Sequence, residues 1–385
     1  MLKRYSPTVL HCFIYMRILI DTSPLLIRSA GVKNYLYYWF AHLERHRKNN
    51  QISAFPLMDS SSGLHHEGSV LKPIQSIPRI AFVHWVNMRG NPTLRWLNRK
   101  VEVFHTTNQI RNPMTGAKLT ATLYDMTCWL TPELHTPMNV ANEKRFAASL
   151  KQANGLIAIS EHTRRDAIRI LDLNPAKVVR IYPGVSEAFF DVSMQQARRT
   201  AQRYQLEKPF ILAVGTIEPR KNLDTLLDSY QKLSADLRET YDLVFIGPLG
   251  WASSRTVRRI RSNPDAVKYL GYVPEVDLPA LTKAATVLVY PSLYEGFGLP
   301  VAQAMACGVP IITSATSCLP EISGDGALHV DPKSSSELAT ALARILESPE
   351  LRESLGSHGR VIAEQRYRWD QCAIQSWEFF ERVAG

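Results

Sequence analysis

The sequence predicts an α/β protein of two domains, each a parallel sheet covered by helices, that face a central cleft. From Arg17 onward, short apolar runs alternate with longer amphipathic stretches, a pattern typical of parallel sheets flanked by helices. A polar stretch at 191–208 interrupts the pattern, which resumes at Phe210. The 385 residues suffice for two or three domains of about 150 residues each. We therefore expect one domain at 16–195 and a second at 205–369.

The elements of the first half follow from this alternation in order. Strands are predicted at 17–21, 52–55, 80–83, 101–104, 119–124, 156–159 and 178–182. Helices are predicted at 32–47, 140–152 and 161–171. Ser160 precedes the last helix, where its hydroxyl can cap the free backbone N–H groups.

The second half repeats the pattern. Strands are predicted at 210–214, 243–246, 287–290 and 310–313, and helices at 223–233 and 300–307. In the first of these helices, Leu223, Leu226, Leu227, Tyr230 and Leu233 form an apolar stripe at helical spacing. Such a stripe indicates packing of one helix face against a sheet.

Composition and charge limit the class of protein. Hydrophobic residues make up 45% and charged residues 21% of the chain, as in ordinary folded proteins. The net charge of +10 favours polyanionic partners, which include nucleic acid, anionic lipid and phosphorylated small molecules. No apolar run approaches the roughly 20 residues that span a bilayer. The five cysteines are widely spaced without a C-x-x-C, which fits a reducing cytosol.

The first fifteen residues are interpreted as an N-terminal extension. They carry a short, polar-interrupted apolar stretch and no small-residue cleavage site, which argues against a signal peptide. The hexapeptide MRILID at 16–21 instead has the pattern of a chain start that leads directly into a buried strand. The alternative interpretation of 1–15 is a peripheral membrane anchor.

The segment 290–310 carries the strongest indication of chemistry. A predicted strand ends at Tyr290, a loop contains Glu295, Gly296, Phe297 and Gly298, and a helix follows. Glycines let backbone N–H groups approach a ligand, and a helix N-terminus favours a phosphate. A carboxylate at Glu295 suits sugar hydroxyls. The alternative is a simple tight turn, since a Gly-x-Gly before a helix has that role about as often.

Several stretches resemble glycosyltransferase family 4, whose members are retaining enzymes with the GT-B architecture of two Rossmann-like domains. YEGFGLPVAQAMACGVPIITS at 294–314 and LPEISGDGALHVDP at 319–332 resemble its donor-binding core. VGTIEPRKNL at 214–223 resembles the segment after the first strand of the C-terminal domain, and 21–35 resembles the N-terminal glycine loop. RWDQCAIQSWEFFERV resembles the terminal helix, so 370–385 is expected to cross back to the first domain.

The resemblance implies donor-binding roles for specific residues. Lys221 and Arg220 would bind the donor diphosphate, although Arg220 alone could be a solvated loop charge. Glu295 would lie beside the transferred sugar. Gln303 stands where the family usually has a second glutamate, and its amide can still bind ribose hydroxyls. The other residues implied at the donor are Gly31, Thr216, Gly296, Phe297 and Gly298.

The first domain offers three further candidates for catalysis. LTATLYDMTCWLTPELH at 119–135 resembles a family segment that often places histidine before aspartate, and here the pair is Tyr124 and Asp125. The leaving phosphate of such enzymes is thought to accept the acceptor proton, so a side-chain base is not essential. Tyr124 could hold the sugar or acceptor, and Asp125 could orient the acceptor hydroxyl or cap the following loop. His105 is either a cleft residue or a hydrogen-bonded structural histidine.

The resemblance predicts a hexosyltransferase that uses a nucleotide diphosphate sugar, with GDP-mannose as first choice. The acceptor would be a glycan or lipid-linked glycan in surface-polysaccharide or lipopolysaccharide biosynthesis, as for bacterial mannosyltransferases with similar sequence motifs. No cofactor is expected, and no metal, because the chain has no Asp-x-Asp. The predicted location is the cytoplasm at the inner face of the plasma membrane. The segment 84–100 combines tryptophans with arginines and predicts peripheral contact with anionic lipid, or else a solvated loop with two core tryptophans.

The sequence has three alternative interpretations of function. An NAD-dependent oxidoreductase lacks support because no G-x-G-x-x-G follows the first strand of either half. A nucleic-acid-binding protein would explain the net charge but none of the loop motifs, so no nucleic-acid partner is expected. A catalytically degenerate transferase is the third alternative, suggested by Gln303 and Tyr124.

Overall fold

The computed structural model describes residues 16–26, 31–56, 73–88, 100–107, 109–110, 116–250, 253–262 and 266–385, together with 92, 93 and 95. These residues form two six-stranded sheets in which all pairings are parallel. The predicted N-terminal extension at 1–15 and about half of the basic segment at 84–100, including Arg89 and Arg99, lie outside the described residues.

The first sheet has the spatial order β2-β1-β3-β4-β5-β6. Its strands are β1 (Arg17–Asp21), β2 (Gln51–Phe55), β3 (Val103–Thr106), β4 (Lys118–Leu123), β5 (Gly155–Ala158) and β6 (Val178–Arg180). The second sheet has the order β12-β11-β10-β7-β8-β9. Its strands are β7 (Phe210–Val214), β8 (Asp242–Ile246), β9 (Val267–Gly271), β10 (Val287–Tyr290), β11 (Ile311–Ser314) and β12 (Ala327–Val330).

Each sheet has a point where the strand order reverses, between β1 and β3 in the first and between β7 and β10 in the second. At such a point the loops that follow the two neighbouring strands turn to opposite faces of the sheet and leave a crevice. Ligands of doubly wound sheets bind there. In the second sheet, the fold therefore predicts a ligand site at the loops after β7 and β10.

Helices cover both sheets. Those of the first half are α1 (Gly31–Arg45), α2 (Pro73–Val86), α3 (Thr127–Leu130), α4 (Pro137–Gln152), α5 (Glu161–Leu171), α6 (Glu187–Asp191) and α7 (Met194–Arg203). Those of the second half are α8 (Leu223–Gln231), α9 (Ala235–Thr240), α10 (Ser254–Arg261), α11 (Leu278–Ala284), α12 (Leu299–Cys307), α13 (Leu319–Ser323), α14 (Ser335–Glu347), α15 (Pro349–Arg366) and α16 (Trp369–Ala384). None of the helices in the described ranges is long and apolar enough to cross a membrane.

The terminal helix α16 returns to the first half, as expected. The indole of Trp39 in α1 donates to Ser376 Oγ at 2.9 Å, and the indole of Trp377 donates to the Leu43 carbonyl at 3.1 Å. Beneath α16, a Cβ added to Gly155 would lie 2.8 Å from the ring of Phe379. Gly155 thus permits the helix to lie close to the first sheet.

The prediction of a strand at 80–83 was wrong, because this run lies within α2. A short apolar run does not by itself distinguish a strand from a helix. In α2, Val86 is buried whereas Ile77, Ile80 and Trp85 are exposed, so its apolar residues face both the core and solvent. Strands β9 and β12 were missed, since β9 is only half-buried and β12 has polar His329 at its centre.

The polar stretch at 191–208 contains a helix rather than only a connection. Ser193 and Gln196 form a reciprocal capping box at the start of α7, which packs on α11 of the second half. Arg203 in α7 pairs with Asp277 at the start of α11. The polar stretch that the sequence predicts to connect the two domains therefore includes a helix, α7, that packs against α11 of the second half.

Candidate active site

A cleft of about 460 Å³ separates the two sheets, and both halves of the chain line it. The first half contributes Gly31, Tyr124 and Asp125, and the terminal helix contributes Trp369. The second half contributes the loops that follow β7 and β10, which meet at the reversal of strand order. The cleft residues from this half include Thr216, Glu218, Arg220, Lys221, Tyr290, Glu295, Gly296, Phe297, Gly298 and Gln303.

Two cations meet one carboxylate in this cleft. Lys221 Nζ lies 2.7 Å from Glu295 Oε1, and Arg220 Nη1 lies 2.8 Å from Glu295 Oε2. All three side chains are less than one-fifth exposed. The sequence predicts that the loop after β7 and the loop before α12 share one site. The ion pairs of Glu295 with Lys221 and Arg220 agree with that prediction.

The local fold explains how the two loops come together. Strand β7 ends at Val214, and a 3₁₀ turn over Pro219–Lys221 then turns the cations toward β10. The side chain of Asn222 donates to the carbonyl of Pro291 at 3.0 Å, which ties this turn to the loop after β10. Arg220 Nη1 also donates to the Tyr294 carbonyl at 2.7 Å. The side chain of Arg220 is thus held by the backbone of the neighbouring loop.

The charges in this cluster are strongly coupled. Burial alone would raise the pKa of Glu295, but Arg220 and Lys221 outweigh it and lower that pKa to about 2. Burial lowers the pKa of Lys221, and Glu295 opposes this shift. Burial raises the pKa of Tyr290, whose neutral hydroxyl accepts from Lys221 at 2.6 Å and donates to Glu295 at 3.0 Å. The carboxylate thus stays ionised among donors.

The glycines of the loop after β10 permit close contact with the first half. A Cβ on Gly296 would lie 1.8 Å from the Tyr124 carbonyl oxygen, and one on Gly298 would lie 2.7 Å from Leu319. Gly298 also has a φ of +81° and precedes α12. Only glycine fits both positions without a shift of the backbone.

The other predicted donor residues also line the cleft. Gly31 begins α1, Thr216 follows β7, and the largely buried Gln303 lies on α12. The ring of Phe297 packs edge-on against Tyr367. Their roles with a ligand stay predictions.

Asp125 lines the cleft and caps the loop that follows it. Its Oδ1 accepts from the backbone N–H of Thr127 at 3.0 Å and from the Thr127 hydroxyl at 2.6 Å. The Tyr124 hydroxyl is buried without a hydrogen-bond partner, and burial raises its pKa. The geometry thus favours the capping interpretation of Asp125 and leaves the phenol of Tyr124 neutral.

His105 does not line the cleft, contrary to one of our two interpretations. It lies fully buried in β3, with its ring nitrogens 3.0 Å from Thr120 Oγ1 and 3.1 Å from Thr122 Oγ1. The rings of Trp39 and Phe380 pack against it. Burial lowers its pKa to about 3, so the structural interpretation is the one that the geometry supports.

Glu218, Tyr290 and Trp369 also line the cleft, and the sequence did not single them out. Glu218 Oε1 lies 2.8 Å from Arg220 and shares this cation with Glu295. Tyr290 was placed only as a strand end, and Trp369 only within the terminal helix. Glu218 lies inside the motif at 214–223, so the sequence carried a signal for it, whereas the contact of Tyr290 with Lys221 joins two separate loops. The described residues contain no group of three or more His, Cys, Asp or Glu side chains arranged to hold a metal ion.

Comparison with known sequences agrees with the geometry. Residues 194–361 match the family of glycosyl transferases group 1. Over 376 residues the chain is 28% identical to O-antigen chain mannosyltransferase B of Escherichia coli, a match that covers 94% of this chain and 98% of that protein.

Comparison with solved structures identifies the fold. Anabaena Alr3699/HepE in complex with UDP-glucose matches with a TM-score of 0.72 at 17% identity, over 96% of this chain and all of that one. Sucrose-phosphate synthase from Thermosynechococcus elongatus matches with a TM-score of 0.73 at 20% identity, over 96% of this chain and 99% of that one. The chain therefore carries a glycosyl transferases group 1 domain over 194–361 and has, as a whole, the two-domain GT-B fold of glycosyltransferases.

Proposed function

We propose that this chain is a retaining glycosyltransferase that moves a hexose from a nucleotide diphosphate sugar to a glycan or lipid-linked acceptor in polysaccharide biosynthesis. The proposal rests on the observation that the side chains of Lys221, Arg220 and Glu295 lie in contact where the strand order of the second sheet reverses. Mannose from GDP-mannose is the first choice of donor, because the relative from Escherichia coli is named as a mannosyltransferase.

Two cations of the site, Lys221 and Arg220, suit a departing diphosphate. The anomeric C–O bond of the donor breaks, the nucleoside diphosphate leaves, and the acceptor oxygen forms the new glycosidic bond. The acceptor proton passes to an oxygen of the leaving phosphate. Lys221 and Arg220 would stabilise the charge that grows on that phosphate, which lowers the barrier more than uniform substrate binding would. These two cations would perform this role without a metal ion or other cofactor.

A panel of nucleotide sugars tests the proposal. Thermal unfolding would be followed with GDP-mannose, GDP-glucose, UDP-glucose, ADP-glucose and NAD. A ligand at a hundred times its Kd stabilises the folded state by about 2.7 kcal/mol, so we expect one nucleotide sugar to raise the Tm and NAD to leave it unchanged. The anomeric configuration of the transfer product, read by NMR, then tests retention. Stabilisation by NAD alone would contradict the proposal, and donor binding without transfer would indicate a degenerate enzyme.

We also propose that the first domain makes peripheral contact with the inner, anionic face of the plasma membrane. Near the basic segment, the helix α2 and its end expose Ile77 by 66%, Trp85 by 48% and Met88 by 57%. Exposed apolar and aromatic side chains with cations nearby suit a lipid headgroup surface. Sedimentation with anionic and neutral vesicles tests this, and we expect binding to anionic vesicles that an Ile77→Ser, Trp85→Ser variant loses. Equal binding to neutral vesicles would contradict it.

A further inference from the structure

The helix α5 of the first half contacts the loop that carries Glu295. The hydroxyl of Thr163 donates to the carbonyl of Gly296 at 3.1 Å, and the carboxylate of Asp166 accepts from the Tyr294 hydroxyl at 2.7 Å. Thr163 and Asp166 are three residues apart and therefore lie on the same face of the helix. The two residues that flank Glu295 are thus both bonded to one helix of the other half.

These two contacts are shielded from solvent. Thr163 is fully buried, and Asp166 and Tyr294 are each less than one-tenth exposed. The ring of His162 packs edge-on against that of Tyr294. Burial acts to raise the pKa of Asp166, but hydrogen bonds from Arg169 and Tyr294 outweigh it and lower that pKa. Burial raises the pKa of Tyr294, so its neutral hydroxyl donates to an ionised carboxylate. Hydrogen bonds to a charged acceptor are roughly twice as strong as neutral ones.

The backbone of Glu295 itself is held by the second half. Its N–H donates to Ser317 Oγ at 3.2 Å, and its carbonyl accepts from Cys318 Sγ at 3.1 Å. Its carboxylate pairs with Lys221 and Arg220 of the same half. The second half therefore holds Glu295 beside the two cations, whereas α5 holds the same loop against the first half.

The first-half wall of the cleft lies directly beside these contacts. Tyr124 and Asp125 line the cleft, and a Cβ on Gly296 would lie 1.8 Å from the Tyr124 carbonyl oxygen. Two bonds, one on each side of Glu295, resist rotation of the loop more than a single contact would. The position of Glu295 relative to this wall therefore depends on α5.

We propose that Thr163 and Asp166 are positioning residues, which set where Glu295 lies relative to the first-half wall of the cleft. They act through Gly296 and Tyr294 rather than by contact with a substrate. The catalytic consequence rests on the proposed function, in which transfer needs both halves and nucleotide binding needs mainly the second. Loss of either contact should therefore reduce transfer more than it weakens the binding of a nucleoside diphosphate.

Variants of the full chain that remove single hydroxyl groups test the proposal. Thr163→Val and Tyr294→Phe each remove one hydroxyl, and Thr163→Ser retains it. Tyr241→Phe is the matched control, because the Tyr241 hydroxyl donates to the Leu346 carbonyl at 3.2 Å and Tyr241 does not line the cleft.

Three measurements are made on each variant. The release of nucleoside diphosphate from GDP-mannose and from UDP-glucose, with methyl α-mannopyranoside as acceptor, gives kcat. Calorimetry gives the Kd of GDP and of UDP. Hydrogen exchange of residues 292–299 reports on the order of the loop without any reaction.

We expect kcat of Thr163→Val and of Tyr294→Phe to fall about tenfold, while the Kd of the nucleoside diphosphate stays within about threefold of the wild-type value. Hydrogen exchange of 292–299 should be at least about threefold faster in both variants. Thr163→Ser and Tyr241→Phe should match the wild type in all three measurements. Asp166→Ala should lower kcat no further once Tyr294→Phe is present, because Asp166 acts through that hydroxyl.

The proposal is overturned if kcat or the hydrogen exchange of the loop is unchanged in both Thr163→Val and Tyr294→Phe, or if Thr163→Ser loses as much activity as Thr163→Val. It is also overturned if the Kd of the nucleoside diphosphate rises by the same factor as kcat falls. A wild type that neither binds GDP or UDP nor releases them from a sugar donor would refute the proposed function instead, and hydrogen exchange alone then decides whether α5 holds the loop.

Discussion

At the scale of single residues, Glu295 sets the charge balance of the cleft. It pairs with both Lys221 and Arg220, and all three side chains are largely buried. Removal of one partner from a buried ion pair leaves an uncompensated charge and costs about 3–5 kcal/mol. We expect Glu295→Gln to lower the free energy of unfolding by that amount at pH 7, measured by urea denaturation. The exposed Glu353→Gln is the control, and equal stability of wild type and Glu295→Gln would contradict the account.

The same carboxylate gives a prediction for pH. Its pKa is lowered from 4.5 to about 2 in the folded protein, because the two cations outweigh the burial that acts in the opposite direction. A group with a depressed folded pKa stabilises the fold fully above its unfolded pKa, and this stabilisation is lost as the pH falls toward the folded value. The difference in unfolding free energy between wild type and Glu295→Gln should therefore be constant above about pH 5 and narrow steadily below pH 4.5. A difference in unfolding free energy between the two proteins that widens as the pH falls would contradict this prediction.

Residue-level prediction from sequence relied on strand ends to locate side chains. Lys221 and Glu295 follow β7 and β10, and the reversal of strand order brings them together. It was indecisive for His105, since a strand-end histidine can face a cleft or a core and only packing against Trp39 decides. The sequence did not predict a place for Tyr290 in the cleft, because its contact with Lys221 depends on the relative position of two loops.

At the scale of elements, the helix α5 contacts the second domain through its N-terminus. Glu321 in α13 accepts from the backbone N–H groups of Glu161 at 2.7 Å and His162 at 2.9 Å, and from the Tyr182 hydroxyl at 2.9 Å. A carboxylate there satisfies free donors and opposes the helix dipole. We expect Glu321→Ala to weaken this contact by about 1–2 kcal/mol and to increase the radius of gyration in small-angle scattering. Glu353→Ala, exposed on the same domain, should match the wild type.

The loop after β10 gives a second prediction at this scale. A Cβ on Gly296 would overlap the Tyr124 carbonyl, so Gly296→Ala must displace the loop that carries Glu295. Small displacements of catalytic groups can reduce rates about a hundredfold. We expect kcat of Gly296→Ala to fall at least tenfold with a folded protein by circular dichroism. Gly116→Ala, where an added Cβ meets nothing within 4 Å, should keep wild-type kcat, and wild-type kcat for Gly296→Ala would show that the close approach is unimportant.

The sequence allowed most buried elements to be predicted, and the reason is the continuous apolar run of a strand covered on both faces. Strands β1, β7 and β10 and helix α5 have the predicted bounds. Elements at the periphery of the sheets were not predicted, because partial exposure interrupts the continuous apolar run of a buried strand. Strand β9 is an example. The run in α2 was misassigned because its apolar residues face both core and solvent.

At the scale of the whole molecule, residues from both halves of the chain build the cleft between the two sheets. The second half contributes Arg220, Lys221 and Glu295, and the first half contributes Tyr124 and Asp125. The fold was predictable from the alternating elements and the motifs. The close approach of Gly296 to the Tyr124 carbonyl was not, because it depends on how the two halves pack together.

The central claim is that Lys221 and Arg220 hold a diphosphate in the cleft, and calorimetry tests it most directly. GDP, GMP, UDP and UMP would be titrated into the wild type, Lys221→Met and Lys232→Met, the last an exposed lysine of the same domain outside the cleft. Loss of a charge-assisted contact costs about 1.5–3 kcal/mol, or roughly a tenfold or larger change in Kd. The account predicts that one diphosphate binds the wild type at least tenfold more tightly than its monophosphate, and that Lys221→Met alone loses this advantage. Equal diphosphate affinity in wild type and Lys221→Met would contradict it.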